Sequence, residues 1–240
     1  MKSRLTVALA GNPNSGKTTI FNGLTGARQH VGNYPGVTVE RKEGTLRYGD
    51  TEMTVVDLPG TYSLTAYSVE ELVARNFIIE EKPDVVVDII DASNLERNLY
   101  LAVQLMELGT PLVLCFNMSD MAAAKGLSFD QEKLSRFFGA PIVNTIGHKG
   151  EGLKELLARV EEVARRGVQG PVSEIGYGRE IEAELKTLVR LLEEENQIPE
   201  GYSPRWLALK LLENDREVGA LVSSPAIRAQ VEKSAKRLRG

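Results

Sequence analysis

The sequence predicts an α/β protein in which a mostly parallel, six-stranded sheet with one antiparallel edge strand is followed by a small all-helical domain. Three observations predict it. Short apolar runs alternate with amphipathic stretches: Leu5 to Ala10, Met53 to Val56, Val85 to Ile90, Leu112 to Phe116 and Ile142 to Val143, with Val69 to Glu81 and Leu95 to Leu108 between them. That is the rhythm of βαβ units. One pair breaks it, because Val39 to Arg47 and Thr51 to Asp57 are joined only by Tyr48-Gly49-Asp50, a hairpin rather than a crossover. The third observation is that composition shifts to Gly, Pro, Ser and Val across 167–178, and no strand signal returns after it. Leucines at 185, 188, 191 and 192, then Trp206, Leu207, Leu209, Leu211 and Leu212, keep helical spacing and predict three or four helices.

Composition narrows the classes. The chain has 240 residues, 42% hydrophobic and 26% charged, enough to bury a core and too apolar to stay disordered. Its 29 Lys+Arg against 33 Asp+Glu give a net charge of −4, so no nucleic-acid backbone is expected as a partner and any bound anion must be held locally. A single cysteine, Cys115, makes no intramolecular disulfide, and His30 and His148 form no zinc-type cluster. A reducing cytosolic setting fits, and no apolar run reaches the roughly 18 to 20 residues of a membrane span.

Gly11-Asn12-Pro13-Asn14-Ser15-Gly16-Lys17-Thr18 fits G-x-x-x-x-G-K-T between a strand and a helical stretch. Glycines let successive backbone N–H groups point inward at a polyphosphate, at the positive end of the following helix. Gly11, Asn12, Asn14, Ser15, Gly16, Lys17, Thr18 and Thr19 are the expected phosphate-side residues, with Lys17 on the β and γ phosphates and the Thr18 hydroxyl on Mg²⁺. Asp57, ending its strand in Asp57-Leu58-Pro59-Gly60, is the expected second Mg²⁺ ligand, and the Gly60 N–H the expected γ-phosphate contact and hinge. Thr38, after the polar, glycine-rich stretch 29–37, is expected to complete the Mg²⁺ shell when a γ phosphate is present. Asn117-Met118-Ser119-Asp120 fits N-x-x-D. The Asp120 carboxylate suits the two hydrogens of guanine N1 and N2, which adenine does not offer, so GTP and GDP are the expected ligands.

With these segments in order, the chain to about residue 165 resembles a TRAFAC-class, Ras-like P-loop GTPase. GNPNSGKTT, VGNYPGVTVERKEG, VVDLPGTYSL and especially DASNLERNLYL at 91–101 are similar to the N-terminal cytosolic part of the ferrous iron transport protein B family. The resemblance implies a GTPase domain over 1–166, a linker over 167–178 and a helical domain over 179–240. It also implies a transmembrane iron-permeation region elsewhere in the full-length protein and a place on the cytoplasmic face of the bacterial inner membrane. Thr61 stands where Ras-like enzymes place a water-orienting glutamine, so slow hydrolysis is expected. The family's remedy is a K⁺ ion near the phosphates, with Asn14 as its matching side-chain ligand. Gly147 aligns with the alanine whose N–H faces guanine O6, although Ile146-Gly147 departs from the family's usual Ser-Ala. A free-standing ribosome-assembly GTPase of the Era type, a non-hydrolysing guanine-nucleotide sensor and formation of a homo-oligomer all stay open.

Three other features have plainer readings. Asp88 interrupts an apolar strand, where a carboxylate is costly unless paired, so an edge-facing or hydrogen-bonded place is expected. Cys115 reads as a small core residue. The basic ending, Arg228, Lys233, Lys236, Arg237 and Arg239, suits a helix C-terminus, and the resemblance also allows a juxtamembrane role.

Overall fold

A computed structural model describes residues 4–26, 28–65, 67–167 and 175–239. It divides into two compact units, Met1–Ser173 and Glu174–Gly240. Most of the expected linker, 168–174, lies outside the described residues.

In the first unit the strands are β1 (Arg4–Gly11), β2 (Gln29–Asn33), β3 (Glu40–Tyr48), β4 (Thr51–Asp57), β5 (Val85–Asp91), β6 (Leu112–Asn117) and β7 (Ile142–Asn144). They form one sheet in the order β2-β3-β4-β1-β5-β6-β7. Strands β4, β1, β5, β6 and β7 are mutually parallel, and β3 is antiparallel to both β4 and β2. The sheet therefore has seven strands rather than six, and its antiparallel pairing lies at the β2-β3-β4 edge, as expected. The extra strand is β2, from the stretch read as a loop. All five of its residues are exposed; it is held by backbone pairing with β3 and by the Gln29 amide, which donates to Asn22 Oδ1, Thr25 Oγ1 and Gly26 O, and it carries no apolar alternation for a sequence reading to detect.

Helices cover both faces, as a buried parallel sheet requires. On one face α1 (Lys17–Thr25) and α6 (Leu153–Arg166) bring Ile20, Phe21, Leu156 and Val160 against Leu9, Val55, Val87, Ile89 and Cys115. On the other, α2 (Val69–Asn76), α3 (Leu95–Glu107), α4 (Ser119–Ala124) and α5 (Gln131–Phe138) cover Ala8, Val56, Val86, Leu114 and Phe116 with Ala74, Leu101, Leu105, Ala122 and Phe138. Each large side chain so buried contributes about 1.5–3 kcal/mol. The helical run expected over 69–81 is α2 followed by a π-helical turn, Phe77–Glu81. A capping box fixes where α2 begins: Ser68 accepts from Glu71 N–H, and the Glu71 carboxylate accepts from Ser68 N–H.

Asp88 is not at an edge. It sits in β5 between β1 and β6, 1% exposed, paired in register with Ala10 and Leu114. Its Oδ2 is buried without a hydrogen-bond partner, and burial pushes its pKa up to about 8. Cys115 is a core residue as expected. Its thiol lies 3.2 Å from the Thr145 hydroxyl, and burial pushes it up to about 12.

The second unit consists, among its described residues, of α7 (Arg179–Glu194), α8 (Pro204–Leu212), α9 (Arg216–Leu221) and α10 (Pro225–Leu238). Ser203, Asp215 and Ser224 cap the last three by accepting backbone N–H bonds, and α8 and α10 open on proline. Leu185, Leu188, Leu192, Trp206, Leu207 and Ile227 form the interior. Arg205 holds both Glu182 oxygens at 2.8 Å, a forked pair that ties α8 to α7.

Candidate functional site

The chain passes from β1 into α1 through Gly11–Gly16, with Asn14 (φ 68°) and Gly16 (φ 86°) in left-handed conformations. Glycine is needed at two points of this turn. A Cβ on Gly11 would lie 2.6 Å from the Ile89 carbonyl, and one on Gly16 would run into the Asn117 amide. Lys17 and Thr18 open α1, so the loop delivers the helix's unpaired N–H groups and the lysine to one place. Lys17 Nζ donates to Asp57 Oδ1 at 2.5 Å, both side chains being about a tenth exposed or less. The structure thus brings the predicted phosphate lysine and the predicted metal carboxylate together from different elements. Thr18, Thr19 and Asn14 are exposed beside them, while Asn12 and Ser15 are buried.

The loop is also tied to its surroundings. Thr61 N–H donates to Gly11 O at 3.2 Å, and the Asn12 amide donates to Arg97 O at 3.3 Å. Asn12 Oδ1 and Ser15 Oγ are buried with no partner in the unliganded chain. Gly60 lies on Pro13, where an added Cβ would be 3.5 Å from Pro13 N and Cα, an ordinary contact. Neither a positive φ nor lack of room demands glycine at 60.

At the far end of the site, Asn117 closes β6 and is 2% exposed. Its amide donates to Ser15 O at 2.9 Å, and its Oδ1 accepts from Gly147 N–H at 2.9 Å and the Thr145 hydroxyl at 3.2 Å. Asn117 therefore clamps the phosphate loop to the loop after β7. Asp120 lies in the first turn of α4, its Oδ1 accepting from Met121 N–H and its Oδ2 facing Lys149 Nζ at 3.6 Å. Met118 has a left-handed φ of 57°, which turns the chain out of the strand and into α4. A Cβ on Gly147 would lie 2.9 Å from Ile20 Cδ1 and 3.2 Å from Asn117 Oδ1.

Thr38 stands apart from these groups. It is exposed in the turn between β2 and β3. That turn is anchored by Tyr34, 6% exposed, whose ring meets Phe77 edge-on at 6.2 Å, with the Arg41 guanidinium 5.5 Å from both rings. Burial holds the Tyr34 hydroxyl well above the ordinary tyrosine range. The segment after Gly60 is docked on α2, where Glu71 accepts from the Ser63 hydroxyl and from the N–H groups of Tyr67 and Ser68. Sequence reasoning gave no role to Thr145, Lys149 or Arg97. Arg97 lay in a segment already singled out, 91–101, and Thr145 and Lys149 flank Ile146-Gly147 in the loop expected to face guanine.

A mostly parallel sheet with a phosphate loop after β1, an aspartate at the end of β4 and an N-x-x-D segment after β6 is the fold of a P-loop GTPase domain. A family model described as ferrous iron transport protein B matches residues 5–160, and one described as the FeoB cytosolic helical domain matches 177–240. The chain belongs to the ferrous iron transport protein B family. It is 47% identical over 219 residues to the Fe(2+) transport protein A/Fe(2+) transporter FeoB fusion protein of Porphyromonas gingivalis, covering 90% of this chain and 26% of that one. It is 43% identical over 216 residues to Fe(2+) transporter FeoB of Salmonella typhimurium, covering 88% and 27%. The chain thus spans about a quarter of the length of these relatives. Among solved structures, a mutant S. thermophilus NFeoB bound to mGDP superposes with a TM-score of 0.87 at 38% identity, over 97% of this chain and 88% of that one. The cytosolic domain of T. maritima FeoB in GMPPNP form gives 0.83 at 36% identity, over 98% and 94%. Among the described residues no helix is long and apolar enough to cross a membrane.

Proposed function

We propose that the chain binds GTP and GDP, hydrolyses GTP slowly, and serves as the cytosolic regulatory region of a ferrous iron transporter on the inner membrane. The supporting observation is the convergence of Lys17 and Asp57, 40 residues apart, at 2.5 Å beside the phosphate loop. The donor set fits a nucleotide with a hard cation: a carboxylate, an exposed threonine hydroxyl at the first turn of α1, and two buried orphan oxygens in the loop itself. With nucleotide bound, Lys17 would turn from Asp57 to the β and γ phosphates, and Asp57, Thr18 and Thr38 would hold Mg²⁺. Bound Mg²⁺ would neutralise charge on the β and γ oxygens.

In this reading Gly11, Asn12, Ser15, Gly16 and Thr19 cradle the phosphates and Asp120 reads guanine after Lys149 yields its place. Asn117 holds the base-side loop through the Gly147 N–H, so the guanine O6 contact expected of that N–H requires this bond to open. Asn14, exposed and with a left-handed backbone, would hold K⁺, which would offset charge developing on the transferred phosphoryl group. Loss of the γ phosphate frees Thr38 and Gly60, and their loops relax. We assign the GTPase domain to 1–166, the linker to 167–178 and the helical domain to 179–240, the transmembrane iron-permeation region belonging to the rest of the full-length protein.

GTP turnover in KCl against NaCl, for the intact chain and Asn14→Ala, tests the mechanism. Faster turnover in KCl, lost in Asn14→Ala, is expected; equal rates in both salts refute the K⁺ role, and no phosphate release in either refutes hydrolysis. Titration with guanine and adenine nucleotides tests base reading, where Asp120→Ala is expected to lose most of the guanine preference.

A further inference from the structure

The stretch 91–101 carries the most specific part of the resemblance, yet none of its side chains enters the mechanism above. Its placement is informative. Arg97 is exposed in the first turns of α3, and its guanidinium carbon lies 4.1 Å over the ring of Tyr62, itself 40% exposed. Two turns later on the same helix, Gln104 is 4% exposed and accepts from Leu64 N–H at 2.5 Å. Positions 97 and 104, seven apart, share one face of α3, and both grip the segment that follows Gly60.

The two grips differ in kind. Leu64 is 1% exposed and Thr61 5%, so the Gln104 contact and the Thr61 to Gly11 bond belong to the core. Tyr62 and Arg97 lie outside it, where a cation over an aromatic ring contributes about 0.5–1 kcal/mol. Such a contact decides little about folding. It adds a surface contact to the residues between Gly60 and Leu64. Arg97 is also fixed to the phosphate loop from below, through the Asn12 amide on its carbonyl oxygen. The loop, the helix start and the Gly60 segment thus meet through one residue.

We propose that Arg97, acting through its stack on Tyr62, is a positioning residue that holds the Gly60 peptide against the phosphate loop, ready for a γ phosphate. The inference rests on the guanine-nucleotide reading for its functional consequence, but the stack is a property of the free chain. Losing it leaves contacts with the α and β phosphates and the base untouched and weakens those that need a γ phosphate.

The test measures affinity of the intact chain, with Mg²⁺, for GMPPNP and for GDP in Arg97→Ala, Arg97→Lys, Tyr62→Ala, Tyr62→Phe and the double alanine variant. Arg97→Ala and Tyr62→Ala are expected to weaken GMPPNP about fivefold and to leave GDP within about twofold. The double variant should be no worse than either single one, and Tyr62→Phe and Arg97→Lys should recover most of the loss. Equal weakening of both nucleotides, additive singles, or no change in either overturns the proposal. Amide hydrogen exchange of residues 59–65 in the nucleotide-free chain separates the two levels. It is expected to rise in Arg97→Ala, and unchanged exchange overturns the stack. Should the unmutated chain bind neither nucleotide while exchange still rises, the nucleotide reading and the γ-phosphate role built on it both fall, and only the stack stands.

Discussion

The base end and the γ-phosphate end of this site are built on opposite principles. At the base end, Asn117 is 2% exposed and joins two loops through three hydrogen bonds. At the γ-phosphate end Thr38 is exposed, all five residues of β2 are exposed, and the turn between them hangs on Tyr34. The contrast teaches that a site can be prebuilt for the part of a ligand common to two states and left incomplete for the part that differs. Buried, fully paired polar groups fix geometry, whereas exposed backbone pairing costs little to rearrange.

The strongest way to break this comparison is at its fixed end. Asn117→Ala leaves Ser15 O, Gly147 N–H and the Thr145 hydroxyl without their partner in a buried setting, so a loss of about 2–4 kcal/mol is expected in denaturant melts. Affinity for GDP and GTP should fall together, by about a hundredfold or more. Thr38→Ala works at the other end: the residue is exposed, so stability should hold within about 0.5 kcal/mol. GDP affinity should hold too, while GTP turnover falls about tenfold; a matching loss of GDP affinity would show that Thr38 belongs to the fixed half. A finer probe is Gly147→Ala, whose new methyl meets Ile20 Cδ1 at 2.9 Å and Asn117 Oδ1 at 3.2 Å. GDP release should quicken about threefold in stopped-flow traces, and Ile20→Val, which removes that methyl, should restore it.

A last probe concerns the sheet beneath both ends. Asp88 has its pKa raised by burial from 3.8 to about 8. Between those values the unfolded chain gives up this proton while the folded chain keeps it, so stability falls as pH rises, by up to about 1.4 kcal/mol per unit. Below about pH 4 and above about pH 8 the slope vanishes. Asp88→Asn removes this contribution, so its stability relative to the unmutated chain should grow from pH 5 to pH 8; parallel curves in thermal melts would contradict the buried, unpaired carboxyl.

Much of this was legible in the chain. Leu5 to Ala10 and Val85 to Ile90 announce central strands because a sheet buried on both faces needs continuous apolar runs, and the phosphate loop announces itself because only glycine clears Ile89 O and the Asn117 amide. What stayed hidden has a common cause. Strand β2 pairs with β3 through backbone groups, which every residue carries, and its exposed residues show no alternation. The Arg97 to Tyr62 stack joins positions far apart in sequence, and the Asn117 clamp recruits Thr145 and Ser15 across the fold. For Asp88 the cost of a buried carboxylate argues for an edge or a hydrogen bond; it lies mid-sheet with Oδ2 unpartnered, and burial pushes its pKa up to about 8.

The most direct test follows amide hydrogen exchange across the whole chain in GDP and in GMPPNP, with Mg²⁺ present in both. Equal protection of 117–120 and 144–150 in the two nucleotides is predicted, together with protection of 34–40 and 58–65 that rises only with GMPPNP. Segments 34–40 and 58–65 showing the same exchange in both nucleotides would contradict the division of the site into a prebuilt half and a half completed by the γ phosphate.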